Sequence, residues 1–161
     1  LLVTIHRAEN TDNKERLSNA LSVLRDISKE IEVVLPLHPR TKKMMDYFSL
    51  SFDGIKVIDP VPYLTMISLL SCAKLVATDS GGLQKEAYFA KTPCLTIRNE
   101  TEWTETLEDG WNQLVLVHDA RDIEKILNNV LSIDYSKLQY PSHYGSGNAA
   151  KTIIDSIMNF S

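Results

Sequence analysis

Ser80-Gly81-Gly82, with Glu86 four positions after the second glycine, is a combination suited to a phosphorylated sugar. Glycines let a phosphate approach the backbone closely. A helix starting there offers unpaired N–H groups and the positive end of its dipole to an anion. Glu86 then projects from the same face one turn above Gly82, where a carboxylate suits sugar hydroxyls beside the phosphate. Far upstream, His6-Arg7 pairs an imidazole with a guanidinium, groups that can stabilise or protonate a departing pyrophosphate. Taken alone, the SGG run fits an ordinary αβ turn equally well, and His6 fits a loop histidine.

The elements around these residues shift the balance. Residues 75–77 form a short apolar run, the mark of a strand buried on both faces, and residues 78–82 stop it. From Leu83 the pattern is helical, with Leu83, Ala87 and Ala90 on one stripe. Further strands are expected at 1–5, 32–37, 55–59, 93–97 and 113–117. Residues 6–13 read as a polar loop. Helices are expected on Leu17, Leu21, Leu24, Ile27 and Ile31, on Met44, Met45 and Phe48, and over 63–73. Asn99 with Glu102 reads as a capping pattern for a helix that Gly110 closes. Asp119 opens another, carrying Ile123, Ile126, Leu127, Val130 and Leu131. Residues 134–148 read as irregular, and 149–160 as the last helix.

Strands alternating with helices imply an α/β, Rossmann-like doubly wound parallel sheet, with strand order 3-2-1-4-5-6. In that order the loops after strands one and four meet at the switch point, where ligands bind. His6-Arg7 and Ser80-Gly81-Gly82 are therefore expected to share one crevice. No GxGxxG follows the first strand, which disfavours a dinucleotide and hydride transfer.

Composition narrows the classes further. The 161 residues are 43% hydrophobic and 24% charged, ordinary for one globular domain. The net charge of −4 makes no case for nucleic acid or an anionic membrane, and no apolar run reaches membrane-spanning length. Arg40-Thr41-Lys42-Lys43 reads as a solvated helix start. Cys72 and Cys94 read as reduced core residues of a cytoplasmic protein and lack metal-ligand spacing. A chain opening directly in a strand without methionine reads as the C-terminal piece of a longer polypeptide.

Several runs resemble the C-terminal domain of UDP-N-acetylglucosamine 2-epimerases, which have the two-domain GT-B fold. They are His6-Arg7-Ala8-Glu9-Asn10, His38-Pro39, Asp59-Pro60 with Tyr63-Leu64, Thr78 to Ala87, Arg98 to Glu105, and Tyr144-Gly145-x-Gly147-x-Ala149. They run in order over nearly the whole chain. The resemblance implies that 1–161 is a single UDP-binding domain, half of a cleft. It implies His6 as the catalytic residue beside the pyrophosphate, and Ser80, Gly81 and Gly82 as the phosphate turn. Glu86 would hold the ribose hydroxyls, and Val61 and Met66 would flank the uracil. Arg7 and His38 would line the same cleft.

The implied chemistry is inversion at C2, with UDP eliminated to leave a 2-acetamidoglucal and then added back. Carboxylates for C2 come from the family's N-terminal domain. No metal or nicotinamide is implied. The resemblance also implies a cytoplasmic homodimer feeding cell-envelope polysaccharide synthesis, with a UDP-sugar substrate and no nucleic acid or membrane partner. In one departure, Trp103 stands in Thr101-Glu102-Trp103-Thr104-Glu105 where some members carry arginine in a TERPE-like run. The alternatives are a hydrolysing epimerase, a retaining glycosyltransferase of the same fold, whose EX7E-like motif is absent here, and a non-catalytic nucleotide-sugar module. Arg98 is expected to pair with Glu100 or Glu102, His118 and His143 to be structural or solvated, and Trp103 and Trp111 to serve packing or a domain interface.

Overall fold

The computed structural model describes residues 1–115, 129–130, 132–140 and 143–160. Its centre is a six-stranded parallel sheet in the order β3-β2-β1-β4-β5-β6. The strands are β1 (Leu2–Thr4), β2 (Val34–Pro36), β3 (Lys56–Ile58), β4 (Val76–Thr78), β5 (Cys94–Thr96) and β6 (Asn112–Leu114). The helices are α1 (Ala8–Thr11), α2 (Lys14–Ile27), α3 (Pro39–Phe48), α4 (Tyr63–Cys72), α5 (Gly81–Phe89), α6 (Thr104–Glu108) and α7 (Ala149–Met158), with a 3₁₀ turn at Tyr135–Lys137.

The central strands are apolar on both faces because each face carries helices. Successive side chains point to opposite sides of a strand. Leu2, Val76 and Cys94 accordingly enter one core with Leu70 of α4 and Leu83 and Ala87 of α5. Val3, Ala77 and Leu95 enter the other with Leu17, Leu21 and Leu24 of α2 and Met45 of α3. The carboxyl ends of β1, β4 and β5 bring Thr4, Thr78 and Thr96 into register. Their hydroxyls are satisfied locally: Thr4 and Thr78 share a bond of 2.6 Å, and Thr96 donates to Asn112 at 2.8 Å.

The expected order and every expected strand are present, with differences at the element ends. Residues 8–11 are a helical turn rather than loop, because the Arg7 carbonyl accepts the N–H groups of Asn10 and Thr11 at 3.0 and 2.9 Å. Helix α2 stops at Ile27. Ile31 still donates to the Ile27 carbonyl, but in the turn that leads into β2. Asn99 caps no helix. Its side chain accepts from Arg16, and α6 starts behind Trp103. Cys72 is exposed at the end of α4, contrary to its expected core place. Cys94 is buried, and burial pushes its thiol up to about 12, which keeps it protonated. Of the Arg40–Lys43 run, Thr41 is buried and bonds the Ile5 carbonyl, while Arg40 pairs with Asp12 at 2.5 Å. The expected helix opening at Asp119 lies largely outside the described residues, as does His118. Among the described residues no helix is long and apolar enough to cross a membrane.

Candidate functional site

The glycine run is the start of α5 itself. Ser80 is extended (φ −82°, ψ 121°) and caps the helix, its Oγ accepting the Leu83 N–H at 3.4 Å. Gly81 and Gly82 are the first helical residues, not a turn before it, and neither has a positive φ. Glycine is therefore not required there by backbone strain. A Cβ at Gly81 would meet nothing nearer than 3.7 Å, and one at Gly82 nothing nearer than 4.0 Å. The Gly81 and Gly82 N–H groups find no acceptor among the described residues. Bare, outward-pointing N–H groups on a helix axis are what an anion needs.

A cavity of about 300 Å³ opens at this end of the sheet, lined by Thr4, His6, Pro36, His38, Pro60, Val61, Met66, Ser80, Gly82, Leu83 and Glu86. The family resemblance implied His6, His38, Val61, Met66, Ser80, Gly82 and Glu86 in one cleft, and all seven line this cavity. The other two, Arg7 and Gly81, sit beside it. The exposed Arg7 guanidinium lies 3.8 Å from the place of a Gly81 Cβ, on the flank where Glu102 also stands.

Each lining group has a physical setting. The His6 and His38 rings are 5.1 Å apart, centre to centre. Burial lowers the His6 pKa, opposed by the Asp79 carboxylate, while His38 and Arg7 push it further down. His38 also caps α3, its Nδ1 accepting the Arg40 N–H at 3.1 Å, so it shapes the turn and lines the cavity at once. Burial raises the pKa of Glu86. Arg98 forks onto Glu102 with bonds of 2.9 to 3.2 Å, the pairing expected of it. His143 meets Asp109 at 2.8 Å and is structural.

Two contributors lie outside the site residues assigned from the sequence, Trp103 having been expected to serve packing or a domain interface. Trp103 donates its indole N–H to the Gly81 carbonyl at 2.8 Å, bracing the first turn of α5. Its ring and that of Tyr144 hold the Lys85 ammonium between them, at 4.5 and 4.4 Å. Asp79, inside the Thr78–Ala87 run, is buried at the junction of both loops. A buried carboxylate at a strand end was its only signal, and burial is not readable from residue type. Among the described residues no three His, Cys, Asp or Glu side chains group as a metal site.

The family model for UDP-N-acetylglucosamine 2-epimerase matches residues 1–158. A UDP-N-acetylglucosamine 2-epimerase homolog from Methanococcus maripaludis is 44% identical over 164 residues, covering 99% of this chain and 44% of the relative. A UDP-2,3-diacetamido-2,3-dideoxy-D-glucuronate 2-epimerase from Pseudomonas aeruginosa is 50% identical over 124 residues, covering 76% of this chain and 34% of that protein. Among solved structures, the Methanocaldococcus jannaschii UDP-GlcNAc 2-epimerase in complex with UDP-GlcNAc and UDP matches with a TM-score of 0.87 at 38% identity, over 99% of this chain and 45% of that one. The chain thus spans less than half the length of these relatives.

Proposed function

The chain belongs to the UDP-N-acetylglucosamine 2-epimerase family, and on that footing we propose that it is the UDP-binding half of an enzyme interconverting UDP-N-acetylglucosamine and UDP-N-acetylmannosamine. The observation that carries the reading is the convergence of His6, Ser80, Gly82 and Glu86 on one cavity at the switch point. The pyrophosphate sits on the α5 N-terminus, held by the Gly81 and Gly82 N–H groups and flanked by Arg7. Glu86 accepts from the ribose hydroxyls, and Val61 and Met66 bracket the uracil.

In the reaction a base removes the C2 proton and the C1–O bond to UDP breaks, leaving a 2-acetamidoglucal. A proton returns to the other face of C2, and the C1–O bond reforms. No net electrons move, so the stoichiometry requires no redox cofactor. His6 faces the departing pyrophosphate as its proton donor or electrostatic partner. A second domain, N-terminal to this one, supplies the carboxylates at C2, and the full-length enzyme is a cytoplasmic homodimer.

A second reading keeps the chemistry and changes the sugar to a 2,3-diacetamido uronate. The 50% identity to the Pseudomonas aeruginosa enzyme favours it.

Calorimetry with UDP tests the placement. Ser80→Ala and Glu86→Ala are each expected to weaken UDP by about 0.5–2 kcal/mol, the range for one lost hydrogen bond. Ser80→Ala also removes a helix cap, so a melting curve accompanies it. Equal UDP affinity in all three proteins contradicts the site. Parallel titration of the full-length protein with UDP-N-acetylglucosamine and the diacetamido uronate decides between the two sugars.

A further inference from the structure

Asp79 takes no part in the contacts assigned above, yet its carboxylate is one of the most heavily bonded groups among the described residues. Its carboxylate is fully buried. It accepts the His6 N–H at 3.0 Å on both oxygens, the Arg7 N–H at 2.9 Å and the Asn10 Nδ2 at 3.0 Å. Its own N–H donates to the Thr4 carbonyl at 3.3 Å. Asn10 is buried too, and its amide continues to the Ile97 carbonyl at 2.9 Å. One side chain at the end of β4 thereby ties down the segment leaving β1 and, through Asn10, the end of β5. Helix α1 has no side-chain cap, and the Asp79 carboxylate instead holds the two backbone N–H groups that precede it, those of His6 and Arg7.

The choice of a carboxylate is informative. A buried charge is tolerated only when it is paired and hydrogen-bonded. Every group bonded to the Asp79 carboxylate is a donor, so an isosteric amide would have to turn its own N–H against them. The remaining neighbour is the ligand-facing one: His6 Nε2 stands 3.8 Å from Asp79 Oδ1.

We propose that Asp79 is a positioning residue of this site, its carboxylate fixing the His6–Arg7 backbone at the crevice and setting the charge that the His6 ring faces. The His6 ring is faced by Asp79 from β4, His38 from the start of α3, Glu86 from α5 across the cavity, and Arg7 beside it in sequence. Of these, Asp79 is the closest opposite charge, and it opposes the lowering that burial imposes. The kinetic part of the test rests on the epimerase reading, and the spectroscopic part does not.

The variant is Asp79→Asn in the full-length protein. Misplacing a reacting group by about 1 Å costs on the order of 10²-fold, and kcat is expected to fall by about that much with UDP affinity little changed. If His6 acts as an acid, activity is lost as pH rises through its pKa, and that limb of the profile moves to lower pH in the variant. Histidine-selective NMR on the same samples is expected to show the His6 midpoint moving down. A well-folded Asp79→Asn protein with both the limb and the midpoint unmoved overturns the assignment and leaves Asp79 purely structural. Should the variant fail to fold, amide exchange in the unaltered protein decides. His6 and Arg7 amides protected like those of the strands support the assignment, and exchange at the rate of exposed loops overturns it. A His6 midpoint that moves as expected in a protein without epimerase activity refutes the proposed reaction and upholds the role of Asp79.

Discussion

His6→Asn in the full-length enzyme is expected to lower kcat by about 10² to 10⁴ with little change in KM, the usual cost of removing a preorganised acid or electrostatic partner. An interaction made mainly with the departing pyrophosphate is made mainly in the transition state, so its loss falls on kcat. The structure adds a reason why the fold should survive. The ties of His6 to the protein run largely through its backbone N–H to Asp79, which asparagine retains. The His6 side chain is 30% exposed at the cavity and fills no core position. A melting curve on the same preparation should therefore move little. Near-normal kcat in the folded variant would leave His6 as a loop-shaping residue.

Gly82→Ala is expected to keep or slightly raise stability while weakening UDP binding at least tenfold, about 1.4 kcal/mol or more. The position is helical without a positive φ, and an added Cβ would meet only the Ser80 Oγ, at 4.0 Å. Alanine is the better helix former. The protein alone thus supplies no reason for a glycine. The ligand does, because Cβ atoms lean toward a helix's N-terminus, into the space the phosphate takes over the bare N–H groups. Calorimetry beside thermal melting separates the two effects. Unchanged UDP affinity would place the anion elsewhere.

Both predictions draw on features that were legible in the sequence to different depths. Leu75, Val76 and Ala77 announced a strand covered on both faces, and alternation of such runs with helical stripes was enough for the strand order, since the handedness of crossovers leaves few arrangements. That order put His6 opposite Ser80, 74 positions later, without any contact being visible in the sequence. Element ends were less legible. Residues 8–11 lie in a largely polar run and read as loop, yet they coil with the buried Asn10 amide donating to the distant Ile97 carbonyl and the Thr11 hydroxyl to the Arg7 carbonyl. Gly81 and Gly82 read as a turn because glycine is a poor helix former, whereas the Ser80 cap starts the helix at Gly81, two residues before the expected Leu83. Cys72 looked like core by its neighbours in sequence, but the end of α4 turns it outward. Asp79 and Trp103 act through long-range hydrogen bonds to His6, Arg7 and Gly81, and no local pattern encodes such partners.

The most direct measurement incubates the full-length protein with UDP-N-acetylglucosamine in deuterium oxide and follows C2 of the recovered UDP-sugar by NMR. Reversible elimination of UDP exchanges that position with solvent in both directions. Solvent deuterium is expected at C2 in UDP-N-acetylglucosamine and in newly formed UDP-N-acetylmannosamine alike. Protium retained at C2 of the recovered UDP-sugar would contradict it.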